Sequence, residues 1–498
     1  MHATVTALVL ASPLVKTPLA LLESVLPILG ELWALVEAFR AAPPSPSGTF
    51  AFETQVQAWL RELGRRIVQW TYNSLEPELP TWMPPDVSFE GEAYRRRARQ
   101  PRRGSVWTLF GPIRLVRWVY QSRQVGEPAL FPLEINLGIE PGGATPALAL
   151  RVAWLTAAAT QTQTLEILRQ DHGVHFSVAT LRKLTAAVAE QLGQHQHEVQ
   201  LARLLELLRQ AHASSGPRCI VLSIGRDGVF VPVRQRGPFQ EAAAATVAVY
   251  DRAGKRLGTV YLGRMPQPGQ TTLSTQLTRL LTDVLTQWHG PLPRLCYVTD
   301  AGHHPTEYFR TVLQRMRHPR TGAALHWEWV IDYYHVCGYV TKLAEALFGA
   351  GPEAATWAHK MRRWLRDKAH GAYRVLHSAA ALKDRRGLQG SPTLYADAYQ
   401  YLRTRLAFLD YVDYRRRGLP IGSGVTEAAC KHVFTWRFKQ SGMTWNHASA
   451  QTILDLRLLR VSRVWHGACQ AHLAAKPTLV LHTPTHTLET SLPFKKAA

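Results

Sequence analysis

The sequence of 498 residues contains only five cysteines, and their spacing excludes two common uses of that residue. The first is Cys219, no two of them form a C-x-x-C pair, and their number is odd. This pattern argues against a disulfide framework and against a zinc site built from cysteines. It is typical of a protein that stays in a reducing compartment.

Features of membrane and exported proteins are also scarce. We find no uninterrupted apolar run long enough to span a bilayer, so we expect no membrane partner. Residues 3–15 are apolar, but no Lys or Arg precedes them, which disfavours a signal peptide. Together with the cysteine pattern, this predicts a cytoplasmic location.

Acidic residues are few compared with basic ones. The chain has 36 Asp and Glu against 58 Lys and Arg, a formal net charge of +22. Such an excess predicts association with a polyanion, and nucleic acid is the usual one in the cytoplasm. A basic surface that only aids solubility is the alternative. We therefore expect a nucleoid-associated protein of several structural units.

The N-terminal part reads as helices followed by a basic arm. Leucines recur at helical spacing over residues 21–35, and a basic run covers 95–103. Two β-rich stretches broken at Gly111-Pro112 then predict a hairpin. Basic arms of this kind bind phosphates without choosing a sequence.

Residues 150–192 fit a helix, a turn and a second helix. Gly173 is suited to end the first helix, and Ser177 to cap the second. Arg182 and Lys183 would then face solvent, as base-reading residues of a helix-turn-helix do. Packing within a helical bundle is the alternative for such a pair.

From residue 217 the pattern changes to strands alternating with helices. The order is β-β-β-α-β-α-β-α, which predicts a mixed sheet with helices packed against it. Residues 350–418 interrupt this order and read as helical throughout. A last helix follows a glycine-flanked turn at Gly422-Ser423-Gly424.

Two aspartates follow buried-looking strands directly. Asp227 comes after C-I-V-L-S-I-G-R, and Asp300 after L-C-Y-V-T. Ligands of open sheets bind at the carboxyl ends of strands, and paired carboxylates there suit Mg²⁺ or Mn²⁺. The alternative is that each aspartate caps a turn. Gly225-Arg226 before Asp227 is unusual for a strand and suggests a kink.

Three further groups have open interpretations. Glu427 in the first turn of the last helix is either a third ligand or a residue that complements the helix dipole. Asp332 and His335 form a D-x-x-H that could bind metal, shuttle protons, orient a phosphate or cap a helix; we favour structural or supporting roles. His303-His304 lie in an expected loop and are more typical of solvated histidines.

The ordered set D-G, T-D-A-G, D-x-x-H and G-S-G-x-x-E…R-x-K-x-S-G-M-x-W resembles DDE transposases of bacterial insertion sequences. It looks closest to the ISKra group, and the resemblance covers roughly residues 217–460. It implies an α/β fold with an RNase H-like mixed sheet core and an all-helical insertion. It also implies that Asp227, Asp300 and Glu427 are the catalytic, metal-binding positions for two Mg²⁺ (or Mn²⁺) ions.

The chain departs from these relatives before the catalytic core. They often carry paired cysteines after the hairpin, which suggests a small zinc-bound module. This chain has Gln121-Ser122-Arg123 there instead. The corresponding module must therefore hold together without zinc or be degenerate.

Patterns and resemblance together predict seven segments. These are an N-terminal helical region (1–94), a basic arm and β-hairpin (95–145), a helix-turn-helix DNA-binding region (146–200), the first part of the RNase H-like core (205–345), a helical insertion (346–418), the final core helix with its glutamate (419–465) and a loose C-terminal tail (466–498).

The expected function is a transposase that binds its element's terminal inverted repeats as double-stranded DNA, cleaves phosphodiester bonds and joins 3′-hydroxyl ends to target DNA. The alternatives are a transposase-derived DNA-binding regulator without catalysis and a metal-dependent nuclease without strand transfer. A homo-oligomer on DNA is expected. The predicted DNA contacts are Arg95, Arg96, Arg97, Arg182, Lys183, Arg362, Arg363, Arg366, Lys431, Arg437 and Lys439, with Asp332 and His335 supporting the site.

Overall fold

The computed structural model describes residues 18–77, 80–97, 100–122, 124, 126–234 and 239–479. These residues form a mixed α/β protein that divides into two compact units. Unit 1 comprises the described residues of 1–188 and 472–498, and unit 2 comprises those of 189–471. Predictions for residues 3–15, for Ala98, Arg99 and Arg123, and for the tail beyond 479 lie outside the described residues.

Unit 1 combines long helices with two small antiparallel sheets, ordered β1-β2-β5 and β3-β4. Its elements are α1 Pro18–Ala41, α2 Pro46–Ser74, β1 Asp86–Phe89, β2 Glu92–Arg96, β3 Arg102–Thr108, β4 Gly111–Arg117, β5 Tyr120–Ser122, α3 Pro132–Asn136, α4 Pro146–Thr156, α5 Gln161–His172 and α6 Val178–Gln194. Helix α6 crosses the division between the units. The predicted hairpin is present as β3 and β4, with Thr108 paired to Gly111 at its turn.

Helix α1 corrects the expectation that no segment is long and apolar enough to span a membrane. Its portion Leu19–Ala41 has a mean hydropathy of 1.8 and meets that test by length and composition. Scattered glutamates interrupt the apolar run, but the mean hydropathy of the helix remains high enough for a membrane-spanning segment. One such helix near the N-terminus is weak evidence for a membrane segment, because core helices and signal sequences share these properties.

The predicted pair of helices joined by a turn is present as α5 and α6, and the residues before α5 belong to a separate helix, α4. Gly173 ends α5 in a left-handed conformation, and the Ser177 hydroxyl accepts a hydrogen bond from Thr180 N at 3.0 Å. Arg182 and Lys183 are exposed, as expected, while Leu181 and Leu184 are buried. The local sequence signals therefore predicted both the boundary and the exposed face.

Unit 2 is built on a five-stranded mixed sheet in the order β10-β9-β6-β7-β8. The first three of these strands are parallel to one another, whereas β7 is antiparallel to both β6 and β8. The elements are α7 Gln196–Ala213, β6 Val221–Val231, β7 Gln240–Tyr250, β8 Arg256–Arg264, α8 Thr271–Gln287, β9 Arg294–Thr299, α9 His303–Thr311, β10 Trp327–Ile331 and α10 Tyr333–Phe348. This matches the predicted order of strands and helices.

Helices cover both faces of this sheet. One face packs on α7 and α8 through leucines that include Leu204 and Leu281. The other face packs on the chain after residue 424, including Phe434. Because neighbouring residues of a strand point to opposite faces, Ala244 and Ala245 belong to different cores.

Strand β6 does not kink at Gly225-Arg226. It pairs with β7 without interruption from Val221 to Val231, so Asp227 lies within the strand and does not end it. The expectation of a kink is wrong because Gly225 serves a packing purpose, described below.

Residues 350–418 are helical as predicted, in α11 Pro352–Asp367, α12 Gly371–Arg386, α13 Pro392–Arg403 and α14 Tyr411–Arg416. The last part of unit 2 differs from one continuous helix. It consists of α15 Gly424–Ala429, a π-helical turn Cys430–Thr435, α16 Trp436–Phe438, α17 His447–Val461 and α18 Trp465–Ala475. Helix α18 occupies part of the region expected to be a loose tail, because residues such as Ala468 are fully buried.

Candidate active site

The parallel strands bring three aspartates to one level of the sheet. Gly225 of β6 is paired with Val298 of β9, and Thr299 of β9 with Ile331 of β10. Continuing these registers by two residues and by one residue sets Asp227, Asp300 and Asp332 side by side. Neighbouring strands lie about 4.8 Å apart, so this row concentrates negative charge at the carboxyl ends of β9 and β10.

Asp227 is half-buried and lies in a field of negative charge. Its Oδ1 accepts a hydrogen bond from Gly228 N at 2.7 Å, and its Oδ2 accepts one from Cys430 Sγ at 3.4 Å. Burial, together with the charges of Asp300 and Glu427, raises the pKa of Asp227 to about 6 against these two hydrogen bonds. The pKa of Asp227 therefore depends in part on the charges of both other carboxylates assigned from the sequence.

Asp300 is held by a strained turn directly after β9. Ala301 has a φ of 63°, a left-handed conformation that a residue with a side chain rarely adopts. This turn lets Gly302 N donate to Asp300 Oδ1 at 2.9 Å. The Tyr401 hydroxyl, from the helical insertion, donates to the Asp300 carbonyl at 3.0 Å. Strain of this kind is often stored at functional sites.

Gly225 allows the helix that carries Glu427 to approach the sheet closely. A Cβ atom on Gly225 would lie 1.8 Å from Thr426 Oγ1, a separation that real atoms do not reach. Thr426 is buried and its hydroxyl is 2.9 Å from that of Thr246 on β7. The absence of a side chain at Gly225 therefore sets how closely α15 approaches the sheet. Gly225 lies two residues before Asp227 on β6.

Glu427 lies in the first turn of α15, as expected, and its side chain is exposed. The Ser423 hydroxyl donates to Glu427 Oε1 at 3.1 Å. The same hydroxyl and the Ser423 backbone N–H also contact Asp332 Oδ2. Ser423 thus connects the exposed glutamate to the buried aspartate of the row.

Asp332 is fully buried and its oxygens are occupied by the protein itself. Besides its contacts with Ser423, it caps α10 by accepting a hydrogen bond from His335 N at 2.8 Å. Helix capping is therefore a demonstrated role of the D-x-x-H. The His335 side chain is exposed, with its ring beside those of Tyr339 and Tyr401.

The helix after Glu427 widens into a π-helical turn. In a π turn the carbonyl oxygens lose their usual helical partners, and here the Arg457 guanidinium donates to the carbonyls of His432 and Val433. This turn contains Cys430, whose thiol reaches Asp227. Such turns occur frequently at functional sites.

The three carboxylates are of the type that suits a hard divalent cation. Their oxygens do not all come within 4.8 Å of one another, because among the described residues only the ligand atoms of His303, His304 and Glu307 form such a group of three. Asp227, Asp300 and Glu427 offer carboxylate oxygens, and none of the ion pairs found among the described residues involves any of the three. Three neighbouring carboxylates without a cationic partner repel one another unless a cation is bound. Asp332 is a poorer ligand because it is fully buried and three donors, Ser423 N, Ser423 Oγ and His335 N, contact its two oxygens.

Several predicted DNA contacts are placed on the surface. Arg95, Arg97, Arg182, Lys183, Arg363, Arg366, Lys431 and Lys439 are exposed. The other three are not exposed. Arg96 donates to the backbone carbonyls of Pro80 and Met83, and Arg437 is buried over the Trp445 ring, where burial lowers its pKa to about 10. Arg362 is half-buried and donates to the Thr341 hydroxyl.

The histidines after Asp300 lie on the first turn of α9, where a loop was expected. Ligand atoms of His303, His304 and Glu307 fall within 4.8 Å of one another. His303 and Glu307 are exposed, and exposed groups of this kind commonly occur without a bound ion.

Sequence reasoning missed Cys430, Ser423 and Thr426 as parts of this site. The signal for Ser423 and Thr426 was their position beside Glu427 in the resembling motif. Cys430 carried only the weak signal of being one helical turn from Glu427, on the same helix face.

No protein-family model matches this chain, and a search of curated proteins finds no significant relative. The case for its function therefore rests on the residues and geometry above.

Proposed function

We propose that the chain is a DDE-type transposase, a polynucleotidyl transferase that binds the ends of its element, cuts DNA and joins 3′-hydroxyl ends to a target. The observation that carries this proposal is the grouping of Asp227, Asp300 and Glu427. Burial is the main cause of the raised pKa of Asp227, and the charges of Asp300 and Glu427, which lie 73 and 200 residues later in the sequence, raise it further.

The sheet topology supports an RNase H-like core. Numbered from β6, the five strands have the order 5-4-1-2-3, with the second antiparallel to the rest. Asp300 directly follows β9, at the carboxyl end of a parallel strand, where such an open sheet binds ligands, and Asp227 lies beside it within β6. The helical insertion between β10 and α15 supports the loop of Asp300 through Tyr401.

The chain's own residues have separable tasks. Asp227, Asp300 and Glu427 would hold one or two Mg²⁺ or Mn²⁺ ions. Such ions, when bound, activate a water or a 3′-hydroxyl for attack on phosphorus and stabilise the leaving oxygen. Gly225 and Thr426 set the position of the glutamate, and Ser423 links it to Asp332. Ala301 and Tyr401 fix the turn that presents Asp300.

Double-stranded DNA is the proposed partner, and the cytoplasm the proposed location. The +22 charge and the exposed pair Arg182 and Lys183 on α6 support this. Phosphate contacts by such residues provide affinity, while side chains in the major groove read bases.

The test combines a nicking assay with a strand-transfer assay. Purified protein is incubated with supercoiled plasmid, and separately with labelled duplexes taken from the DNA that flanks the gene, with Mg²⁺, Mn²⁺ or EDTA. We expect metal-dependent cleavage and joined products, both lost in Asp300→Asn. Asp283→Asn, a carboxylate of α8 outside the site, is the matched control and should retain both.

Other outcomes identify the alternatives. Cleavage without joined products would indicate a nuclease. Binding without cleavage in any metal would indicate a regulator. Cleavage that survives in Asp300→Asn would mean that the site is assigned to the wrong carboxylates.

A further inference from the structure

Helix α1 exposes a regular stripe of large apolar side chains. Leu19, Leu22, Leu26, Leu29 and Trp33 are each between 45% and 64% exposed. Their successive spacings are three, four, three and four residues, and Val36 continues the series. Spacings of three and four residues put these side chains on one face of the helix, and a repeat that averages 3.5 residues suits the seam of a left-handed coiled coil. Pro27 lies inside the helix but outside the stripe.

A neighbouring face of α1 already has its partner. Val25 and Ile28 are buried, and the Arg66 guanidinium of α2 donates to the Ser24 carbonyl at 2.6 Å. The rings of Phe39 and Phe52 stack at 4.3 Å near the other end of the pair. The two helices thus form an antiparallel hairpin, and within the part of the chain that the structure describes the stripe stays exposed.

We propose that this stripe is a self-association surface, on which α1 of one molecule packs against α1 of a second copy. The stripe is self-complementary, because leucine at both core positions of a heptad packs against the same residues of another helix. The surface is assigned from α1 alone and does not depend on the proposed chemistry.

A second copy fits this surface better than a lipid bilayer does. Glu23, Glu31 and Glu37 are exposed on the same helix, and the Glu62–Arg65–Arg66 ion pairs of α2 lie beside its covered side. A bilayer would have to take up these charges, which is costly at its centre. Lipid contact also requires no 3.5-residue repeat.

The length of the stripe sets the expected strength. From Leu19 to Val36 it extends over about 26 Å at about 1.5 Å per residue, which is short for a coiled coil. We therefore expect a dimer that dissociates in the micromolar range and becomes stronger when DNA brings two chains together.

The experiment is sedimentation velocity of the full chain at about 1 to 50 µM in high salt, which suppresses contacts with nucleic acid. We expect the wild type to move from the chain mass of 55.8 kDa towards twice that mass. Leu26→Glu should weaken association at least tenfold. Ala38→Glu adds the same charge to the same helix away from the stripe and should leave association unchanged.

Thermal unfolding of each variant shows that the fold is retained, and the milder Leu22→Gln replaces Leu26→Glu if it is not. A wild type that stays monomeric at 50 µM, or a Leu26→Glu variant that dimerises normally, overturns the proposal. Monomeric protein that sediments with vesicles of phosphatidylcholine and phosphatidylglycerol, and does so less in Leu26→Glu, would assign the stripe to a membrane instead.

Discussion

The Cys430 thiol donates a hydrogen bond to Asp227 Oδ2, with 3.4 Å between the two atoms. Burial and the neighbouring carboxylates raise the pKa of this thiol far above its usual range, so it remains a protonated donor. The bond joins the π-helical turn to the middle of β6. It also lowers the pKa of Asp227, against the effects of burial and of the other carboxylates.

Replacing this donor should shift the pH dependence of activity. In Cys430→Ala the hydrogen bond is lost, so the pKa of Asp227 rises further and the acid limb of the cleavage profile moves up by about 0.5–1 pH unit. Cys430→Ser keeps a donor and should move it little. The profile is measured with Mn²⁺ below saturation, because the proton then competes with the metal for Asp227, and equal shifts in the two variants would contradict the assignment.

The uncompensated charge of Asp227 should make the metal-free protein less stable at neutral pH. Its folded pKa of about 6 lies above the ordinary value of 3.8, so the folded state binds this proton more tightly than the unfolded state. The folded state is therefore stabilised as the pH falls through about 6, and this stabilisation is complete only below 3.8, the ordinary pKa of an aspartate. At pH 7.5 the cost amounts to about 2–3 kcal/mol.

Asp227→Asn should accordingly stabilise the metal-free protein while abolishing cleavage. The measurement is the free energy of unfolding in urea with EDTA at several pH values. The advantage of the variant over the wild type should be largest at pH 7.5 and vanish near pH 4. An advantage that does not change with pH would show that charge is not its cause.

Gly225 provides a steric test of how the glutamate is positioned. Gly225→Ala places a methyl group against Thr426 Oγ1, so α15 must move away from β6 and Glu427 with it. We expect cleavage to fall by about 100-fold or more, with a loss of stability of about 1–3 kcal/mol. Adding Thr426→Ala removes the Oγ1 atom that the new methyl group would contact, and this should recover part of the activity. A double variant no better than Gly225→Ala would argue against this packing.

The sequence predicted the order of strands and helices in unit 2 because each strand pattern and turn is local. It also placed Asp300 directly after a strand, as the structure has it, but it placed Asp227 at the end of a strand, whereas Asp227 lies inside β6. The sequence predicted a kink at Gly225 that is absent, because this glycine makes room for Thr426, which lies 201 residues later in the sequence. The same holds for Arg96 and Arg437: local sequence shows their charge, whereas their burial depends on segments distant in sequence.

The exposed residues of α6 should contribute to DNA affinity through phosphates or bases. Replacing Arg182 and Lys183 by alanine should reduce the slope of log affinity against log salt by about 2 if both contact phosphates. Binding is measured by fluorescence anisotropy on a mixed-sequence duplex. Arg209→Ala, an exposed arginine of α7, is the control. An unchanged slope with lost sequence preference would assign the pair to base reading, and no change in either would favour bundle packing.

Asp332 and Glu427 are the two candidates for the third metal-binding carboxylate. Their surroundings predict different effects of substitution on stability. Asp332 is buried and holds Ser423 N, Ser423 Oγ and His335 N. In Asp332→Asn one oxygen becomes an NH₂ group, and in either orientation of the amide that group faces at least one N–H donor. We therefore expect a loss of about 1–3 kcal/mol in the free energy of unfolding without metal, in addition to weaker cleavage.

Glu427→Gln should behave differently because the side chain is exposed. Its stability without metal should stay within about 0.5 kcal/mol of the wild type. Mn²⁺ binding by titration calorimetry and Mn²⁺-dependent cleavage should both be lost, because the amide no longer supplies the anionic ligand. Ser423→Ala should lie between the two, since it removes one contact to each carboxylate. If instead Asp332→Asn retains stability and loses all Mn²⁺ binding while Glu427→Gln binds normally, Asp332 is the third ligand.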